Sequence, residues 1–196
     1  DPDLEIVFGT VKKNIHDIKI DSSEISGFRE SASSLINKGI ALADISADEL
    51  PEIVFSTFDA KINVWNAAGD TLPGFPKTLT SKIATAPVVS KIDNQVSIIF
   101  TTADNRLLIY NLDGTLRYEY ATEASISNIP ALANIYGDAQ PEVFFSSSDG
   151  LVHGLTLSGD TLDHYPLVLE SAAQSEIVFA DVNNDNEEEL IVGTQN

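Results

Sequence analysis

Three stretches of this chain can be written beneath one another without a gap: PEIVFSTFDAKINVWNAAGDTL from Pro51, SIIFTTADNRLLIYNLDGTL ending at Leu116, and PEVFFSSSDGLVHGLTLSGDTL from Pro141. Phe55, Phe100 and Phe145 fall 45 residues apart. Asp59, Asp104 and Asp149 keep the same step, as do Gly69, Gly114 and Gly159. A more worn copy, EIVFGTVKKNIHDIKIDSSEISGF from Glu5, opens the chain, and a fifth, EELIVGTQN, closes it. Repetition at this period commits a chain to building one supersecondary unit several times and stacking each copy on the next. The approximate units are 1–43, 44–90, 91–133 and 134–180, with a further one beginning at 181–196.

Each unit reads as β throughout. Glu52-Ile-Val-Phe-Ser is a short apolar run rich in β-branched and aromatic residues, the mark of a buried strand. Asp59-Ala60, Asp104-Asn105 and Asp149-Gly150 place turn chemistry between two such runs, a hairpin signal. KINVWN, RLLIYN and LVHGLT supply the next strand, closed by turns at Asn66–Asp70, Asn111–Gly114 and Thr156–Asp160. A last strand-like stretch, Leu72–Leu79 with Gly74-Phe75-Pro76, leads toward the following unit. Four short strands per unit are the blade of a β-propeller. Stacked hairpins in a sandwich are the competing architecture, and the strict repeat favours the propeller. SASSLINKGIALAD, residues 31–44, has a local helical pattern, but its counterparts Ser81–Val89 and Ser125–Leu132 are rich in β-branched residues and Pro, so strand wins there too. The fold expected is all-β, a propeller of four-stranded antiparallel blades with about four present. EIVFGT and ELIVGT would claim one slot in a closed four-bladed ring, so the chain reads as part of a larger one.

Oxygen-bearing side chains gather just before the Glu52-type strand. Asp181, Asn183, Asp185 and Glu189 stand at positions 1, 3, 5 and 9 of one loop, and Asp44, Ser46, Asp48 and Glu52 repeat that spacing. Alternate residues of a curled loop point to one side, and Ca²⁺ takes 6–8 oxygens. Position 7 (Leu50, Glu187) can add a backbone carbonyl. Without a cation, the clustered carboxylates repel. Asn134, Asp138 and Glu142 keep positions 1, 5 and 9 but put Tyr136 at position 3. Lys91-Ile-Asp93-Asn-Gln95 is shortened, with Ser97 in place of the final Glu, and Asp1, Asp3 and Glu5 look like the second half of another loop. The alternative reading is that these Asp and Asn residues make ordinary Asx-turns.

Asp-x-Asn-x-Asp-x-x-x-Glu-Leu-Ile-Val-Gly from Asp181, with its echo Asp-x-Ser-x-Asp-x-x-Pro-Glu-Ile-Val-Phe from Asp44, resembles the calcium-bearing FG-GAP/VCBS-type propeller repeats of integrin α-subunits and secreted bacterial surface proteins. Val64-Trp65-Asn66, Gly69-Asp70 and Gly74-Phe75-Pro76 look especially like the bacterial versions. The resemblance covers nearly the whole chain. It implies Ca²⁺ that stiffens loops between blades, an extracellular or cell-surface location, and a role in adhesion, scaffolding, or protein or glycan binding at the loop faces. Such arrays also accompany secreted peptidases and polysaccharide-active enzymes, so an accessory propeller with catalytic residues outside this chain is the alternative. Two departures stand out: only Phe8-Gly9 keeps the literal Phe-Gly, and Glu49 and Asn186 replace the usual Gly at position 6.

Composition narrows the partners. Eleven Lys and Arg against thirty Asp and Glu give a formal charge of −19, unsuited to phosphate backbones and anionic membranes. There is no Cys, hence no disulfide, thiolate metal site or Cys nucleophile. No apolar run approaches a membrane span. DPDLEIVFGT is not a signal peptide and the chain has no Met, which reads as a processed piece or fragment. No nucleophile elbow, zinc-protease or phosphate-loop motif is present. His16 and His153 sit in the third-strand run and His164 beside Tyr165-Pro166, so all three read as structural. Trp65, Tyr110 and Leu155 share one repeat position and read as blade-to-blade packing, with sugar stacking the lesser alternative for Trp65. A quinone-dependent propeller dehydrogenase is disfavoured, because no cofactor-stacking Trp series exists. The chain is expected not to be an enzyme, and exposed sheet edges would pair with further blades or another chain.

Overall fold

The computed structural model describes residues 5–19, 23–92, 95–126, 128–138 and 140–195. Among them there is no helix, and none therefore is long and apolar enough to cross a membrane. The first sheet is a meander of β1 (Glu5–Gly9), β2 (Asn14–Lys19) and β3 (Glu24–Ser31). Three four-stranded antiparallel meanders follow. They are β4 (Ile40–Ala43) to β7 (Lys77–Thr78) through β5 (Glu52–Thr57) and β6 (Lys61–Trp65); β8 (Val88–Ile92) to β11 (Leu116–Ala121) through β9 (Gln95–Thr102) and β10 (Arg106–Tyr110); and β12 (Ala131–Ala133) to β15 (Leu167–Val168) through β13 (Glu142–Ser146) and β14 (Leu151–Leu155). A two-stranded sheet of β16 (Val178–Ala180) and β17 (Glu189–Ile191) ends the described chain. Each acidic loop thus joins the first and second strands of a sheet, so a blade takes its first strand from one sequence unit and the rest from the next.

Turn chemistry sets the registers. Ala60, Asn105 and Gly150 adopt positive φ at the β5–β6, β9–β10 and β13–β14 hairpins. Each hairpin closes with a backbone bond from the turn N–H to the carbonyl of Thr57, Thr102 or Ser147, three residues back. The turn acids anchor the hairpins further. Asp59 is held down to about 2: burial alone would raise it, but hydrogen bonds from Lys61, Thr57 and Ser33 and the Lys61 charge win. Asp104 and Asp149 are lowered as well.

The middle strands are buried on both faces, which explains their unbroken apolar runs. Alternate residues face opposite neighbours. Ile53, Phe55 and Trp65 pack on Ile15 of the first sheet and on Ile36 in the connection from β3 to β4, whereas Val54, Ile62 and Val64 pack on Ile98, Phe100 and Leu108 of the third. Ile99, Leu107 and Ile109 then meet Val143, Phe145 and Leu155, and Phe144 and Val152 meet Phe179 and Leu190. The repeated Phe55, Phe100 and Phe145 therefore each face the preceding sheet. Val7 faces inward, but Ile6 and Phe8 on the other side of β1 are exposed, as are Val178 and Ile191 of the last sheet. The outermost faces of the stack are apolar and uncovered.

The fourth strand is shorter than Leu72–Leu79 suggests. In two sheets it shrinks to Lys77–Thr78 or Leu167–Val168 plus single bridges at Thr71 and Thr161. Pro76 and Pro166 lack the N–H a ladder needs. The third sheet has Arg117-Tyr-Glu-Tyr there, with no Pro, and β11 runs six residues.

Candidate metal centre

Three acidic loops share a scaffold. The position 9 glutamate folds back onto the start of its own loop: Glu52 Oε2 accepts the Ile45 and Ser46 N–H at 2.8 and 2.9 Å, Glu142 Oε2 the Ile135 N–H at 3.0 Å, and Glu189 Oε2 the Val182 N–H at 2.9 Å. The position 5 aspartate caps the turn two residues on: Asp48 accepts from Leu50, Asp138 from Gln140 and Asp185 from Glu187. Positions 4 and 6 are left-handed, at Ala47 and Glu49 in one complete loop and Asn184 and Asn186 in the other, while Gly137 takes position 4 of the third. Asn tolerates that region; Ala and Glu do so at a cost of about 1 kcal/mol or more each. The missing position 6 glycine thus leaves the curl intact.

Position 1 distinguishes the loops. Asp181 accepts three backbone bonds, Oδ1 from Asn184 and Asp185 and Oδ2 from Asn186. Asp44 Oδ1 accepts the Ala47 N–H and lies 3.7 Å from the Lys91 ammonium. Asn134 instead donates its amide to the Asp138 carbonyl. At position 3, Asn183 Nδ2 donates to Asp185 Oδ2 and to Glu189 Oε1, both at 2.9 Å, while its Oδ1 accepts the Asp185 N–H. Tyr136 is exposed and brings no ligand oxygen of that kind.

Among the described residues, no three His, Cys, Asp or Glu side chains converge tightly enough to form a metal cluster. Each carboxylate is turned onto backbone N–H groups instead. Asn183 joins Asp185 to Glu189, while Asp181 is held by the loop backbone; the residues from Asp44 divide between their own backbone and Lys91. Hard carboxylate and amide oxygens are the donor set Ca²⁺ takes. In the Asp181 loop the Asn183 NH₂ bridges two carboxylates, so a donor stands where their charges meet. Burial varies too: Glu52 is 1% exposed and Glu142 3%, whereas Glu189 is half-buried. Burial raises the Glu142 carboxyl, the Ile135 N–H opposes that, and the Asp138 charge adds to the rise. Asp1, Asp3 and Asp93 lie outside the described residues.

Two cationic side chains carry what the sequence pattern did not show. In the third sheet, where Ser97 replaces the glutamate, Arg117 donates to Ser97 Oγ at 2.8 Å, the Val96 carbonyl at 2.6 Å and Asn111 Oδ1 at 2.7 Å. Lys91, at position 1 of the shortened loop, donates to the Asp44 carbonyl at 2.6 Å. A Lys where its repeat partners are Asp or Asn was the available signal. Arg117 also lines a cleft of about 350 Å³ with Tyr136, Asp138, Glu142 and Ser158.

His16 stacks on Phe8 with ring centroids 5.2 Å apart. His153 stacks on Phe145 at 4.8 Å and touches Ser147 Oγ at 3.0 Å, and burial lowers its pKa against the pull of Asp149. Asp149 bonds Ser147, not the imidazole, and Ser147 is buried, so the orienting bond of a Ser-His-Asp relay is missing. Trp65 is buried edge-on against Phe55 and presents no open face for sugar stacking.

No family model matches the chain, and no curated protein matches it. Solved structures do. A structure of BBS1N in complex with ARL6DN, soaked with mercury, superposes with a TM-score of 0.71 at 18% identity, covering 98% of this chain and 58% of that one. The computationally designed Ika8 protein gives 0.68 at 15%, covering 99% and 54%. BamB from Moraxella catarrhalis gives 0.63 at 19%, covering 81% and 45%. This chain thus spans roughly half the length of the structures it matches. At such identities the likeness speaks for fold alone, and it agrees with the meanders and their face-to-face packing: the chain is a segment of a β-propeller.

Proposed function

We propose that this propeller segment is non-catalytic and calcium-stabilised, of the FG-GAP/VCBS type, and belongs to a secreted or cell-surface protein that binds a protein or glycan, or scaffolds an adhesive surface. The observation that carries the reading is the Asn183 amide held between Asp185 and Glu189. A neutral donor there offsets part of a charge that a dication would offset fully. Asp181, Asn183, Asp185 and Glu189, with the Glu187 carbonyl, would hold one ion; Asp44, Ser46, Asp48 and Glu52, with the Leu50 carbonyl, a second; Asn134, Asp138 and Glu142 form a weaker third set. Calcium supplies charge neutralisation that fixes the loop between two strands. The chain's own residues provide the curl, through left-handed positions 4 and 6, and the glutamate tie to position 2. A protein partner has support from the BBS1N neighbour, itself solved with ARL6DN. The apolar outer faces at Ile6, Phe8, Val178 and Ile191 suit further blades or another chain.

Thermal unfolding in EDTA and in about 2–5 mM calcium, above the affinity usual for extracellular modules, tests this. The expected result is a rise in Tm that magnesium does not reproduce and that Asp181→Ala abolishes in large part. Equal Tm in calcium and EDTA would reduce the loops to ordinary turns.

A further inference from the structure

The geometry points to Lys91 as a resident cation of the Asp44 loop, supplied by the neighbouring blade in place of part of a dication's charge. The inference rests on the calcium reading of these loops. Lys91 lies on β8, which runs beside β4, and it occupies the repeat position that is Asp44, Asn134 or Asp181 in the other units. The loop behind it is shortened and lacks the closing glutamate. Its ammonium reaches back across 47 residues to the Asp44 carbonyl at 2.6 Å and to Oδ1 at 3.7 Å. Both side chains are partly shielded, 25% and 38% exposed. The Asp181 carboxylate, with the same loop spacing, receives backbone N–H groups at both oxygens.

Two consequences follow from elementary electrostatics. The Asp44 loop keeps its form without calcium, because a lysine's compact charge on a long stem ties loop to adjacent blade. It also takes calcium less readily than the Asp181 loop. A fixed unit charge within 4 Å of a ligand oxygen opposes an arriving dication, by about tenfold in affinity at water-like screening. Lys91 thereby divides two loops of equal sequence pattern into a standing joint and a calcium-responsive one.

The test is a calcium titration of the full chain followed by NMR, with the Ile45 and Ser46 amides reporting the Asp44 loop and the Val182 amide the Asp181 loop. Wild type, Lys91→Met, Lys91→Gln and Lys91→Arg are compared, together with their Tm in EDTA. In wild type the Val182 midpoint should fall at lower calcium than the Ile45 midpoint. Lys91→Met should bring the Ile45 midpoint down about tenfold and leave Val182 in place, while Lys91→Arg stays close to wild type. Lys91→Gln is the milder neutral change, and the same shift is required of it should Lys91→Met not fold. An Ile45 midpoint unmoved in both neutral variants, with Val182 still titrating, overturns the Lys91 proposal and spares the calcium reading. If no amide titrates in any variant, the calcium reading falls. The tether then stands only if the neutral variants lower Tm in EDTA and Lys91→Arg restores it, and it falls if they do not.

Discussion

The Asp44 and Asp181 loops carry one pattern of oxygens and settle its repulsion by different means. Around Asp44 the closing Glu52 is buried, its carboxylate accepts two N–H groups, and Lys91 arrives from the next blade. Around Asp181 the corresponding Glu189 is half-buried, and an amide, Asn183, stands between two carboxylates. The first loop sits between fully covered sheets; the second belongs to a two-stranded sheet with one face exposed. The difference teaches that spacing determines the curl, while burial and borrowed cations determine how the curl's carboxylates are satisfied.

The largest expected effect breaks the comparison at position 9. Glu52→Ala strands two N–H groups, one of them on buried Ile45, and should cost about 3 kcal/mol in denaturant unfolding. Glu189→Ala in EDTA should cost about 1 kcal/mol or less, since water reaches the freed Val182 N–H. Equal costs would mean burial is not what separates the loops. Next comes Asn183→Asp, which removes the bridging donor and adds a charge. Stability in EDTA should fall by about 1–2 kcal/mol, and the calcium-induced rise in Tm should grow. A variant with an unchanged calcium response would show that Asn183 bridges carboxylates without marking an ion's place.

Smaller still, Ala47→Gly and Glu49→Gly relieve left-handed strain and should each stabilise by about 0.5–1 kcal/mol, after the entropy glycine adds to the unfolded chain. Asn184→Gly, at a position asparagine already tolerates, should be closer to neutral. The mildest test is acid. Asp59 is held at about 2, below its unfolded value near 4, so its contribution is present above about pH 4 and drains away as pH falls toward 2. Its side chain is a third exposed, so screening keeps the effect small. Asp59→Asn should flatten that part of the stability profile in either calcium or EDTA, because the hairpin turn lies apart from both loops.

Much of the fold was legible because repetition and burial coincide. Phe55, Phe100 and Phe145 align in sequence and all face the preceding sheet, and the unbroken apolar runs around them are what two covered faces require. The phase of the blades was less visible. IALA at Ile40 belongs with the strand after the loop, which only the pairing Ile40 with Phe55 reveals. The fourth strand was overdrawn because Gly74-Phe75-Pro76 looks apolar yet cannot keep a ladder. At the loops, alternating oxygens announced the curl, and the structure adds the glutamate tie that explains position 9. The contacts of Lys91 and Arg117 join residues far apart in the chain, and no spacing rule encodes them.

Amide hydrogen exchange, resolved by residue and measured in EDTA and in saturating calcium, tests the central claim most directly. Calcium should slow exchange strongly across Val182–Glu189 and only weakly across Ile45–Glu52, where the glutamate and Lys91 already protect the loop. Equal protection of both loops, or none in either, would contradict it.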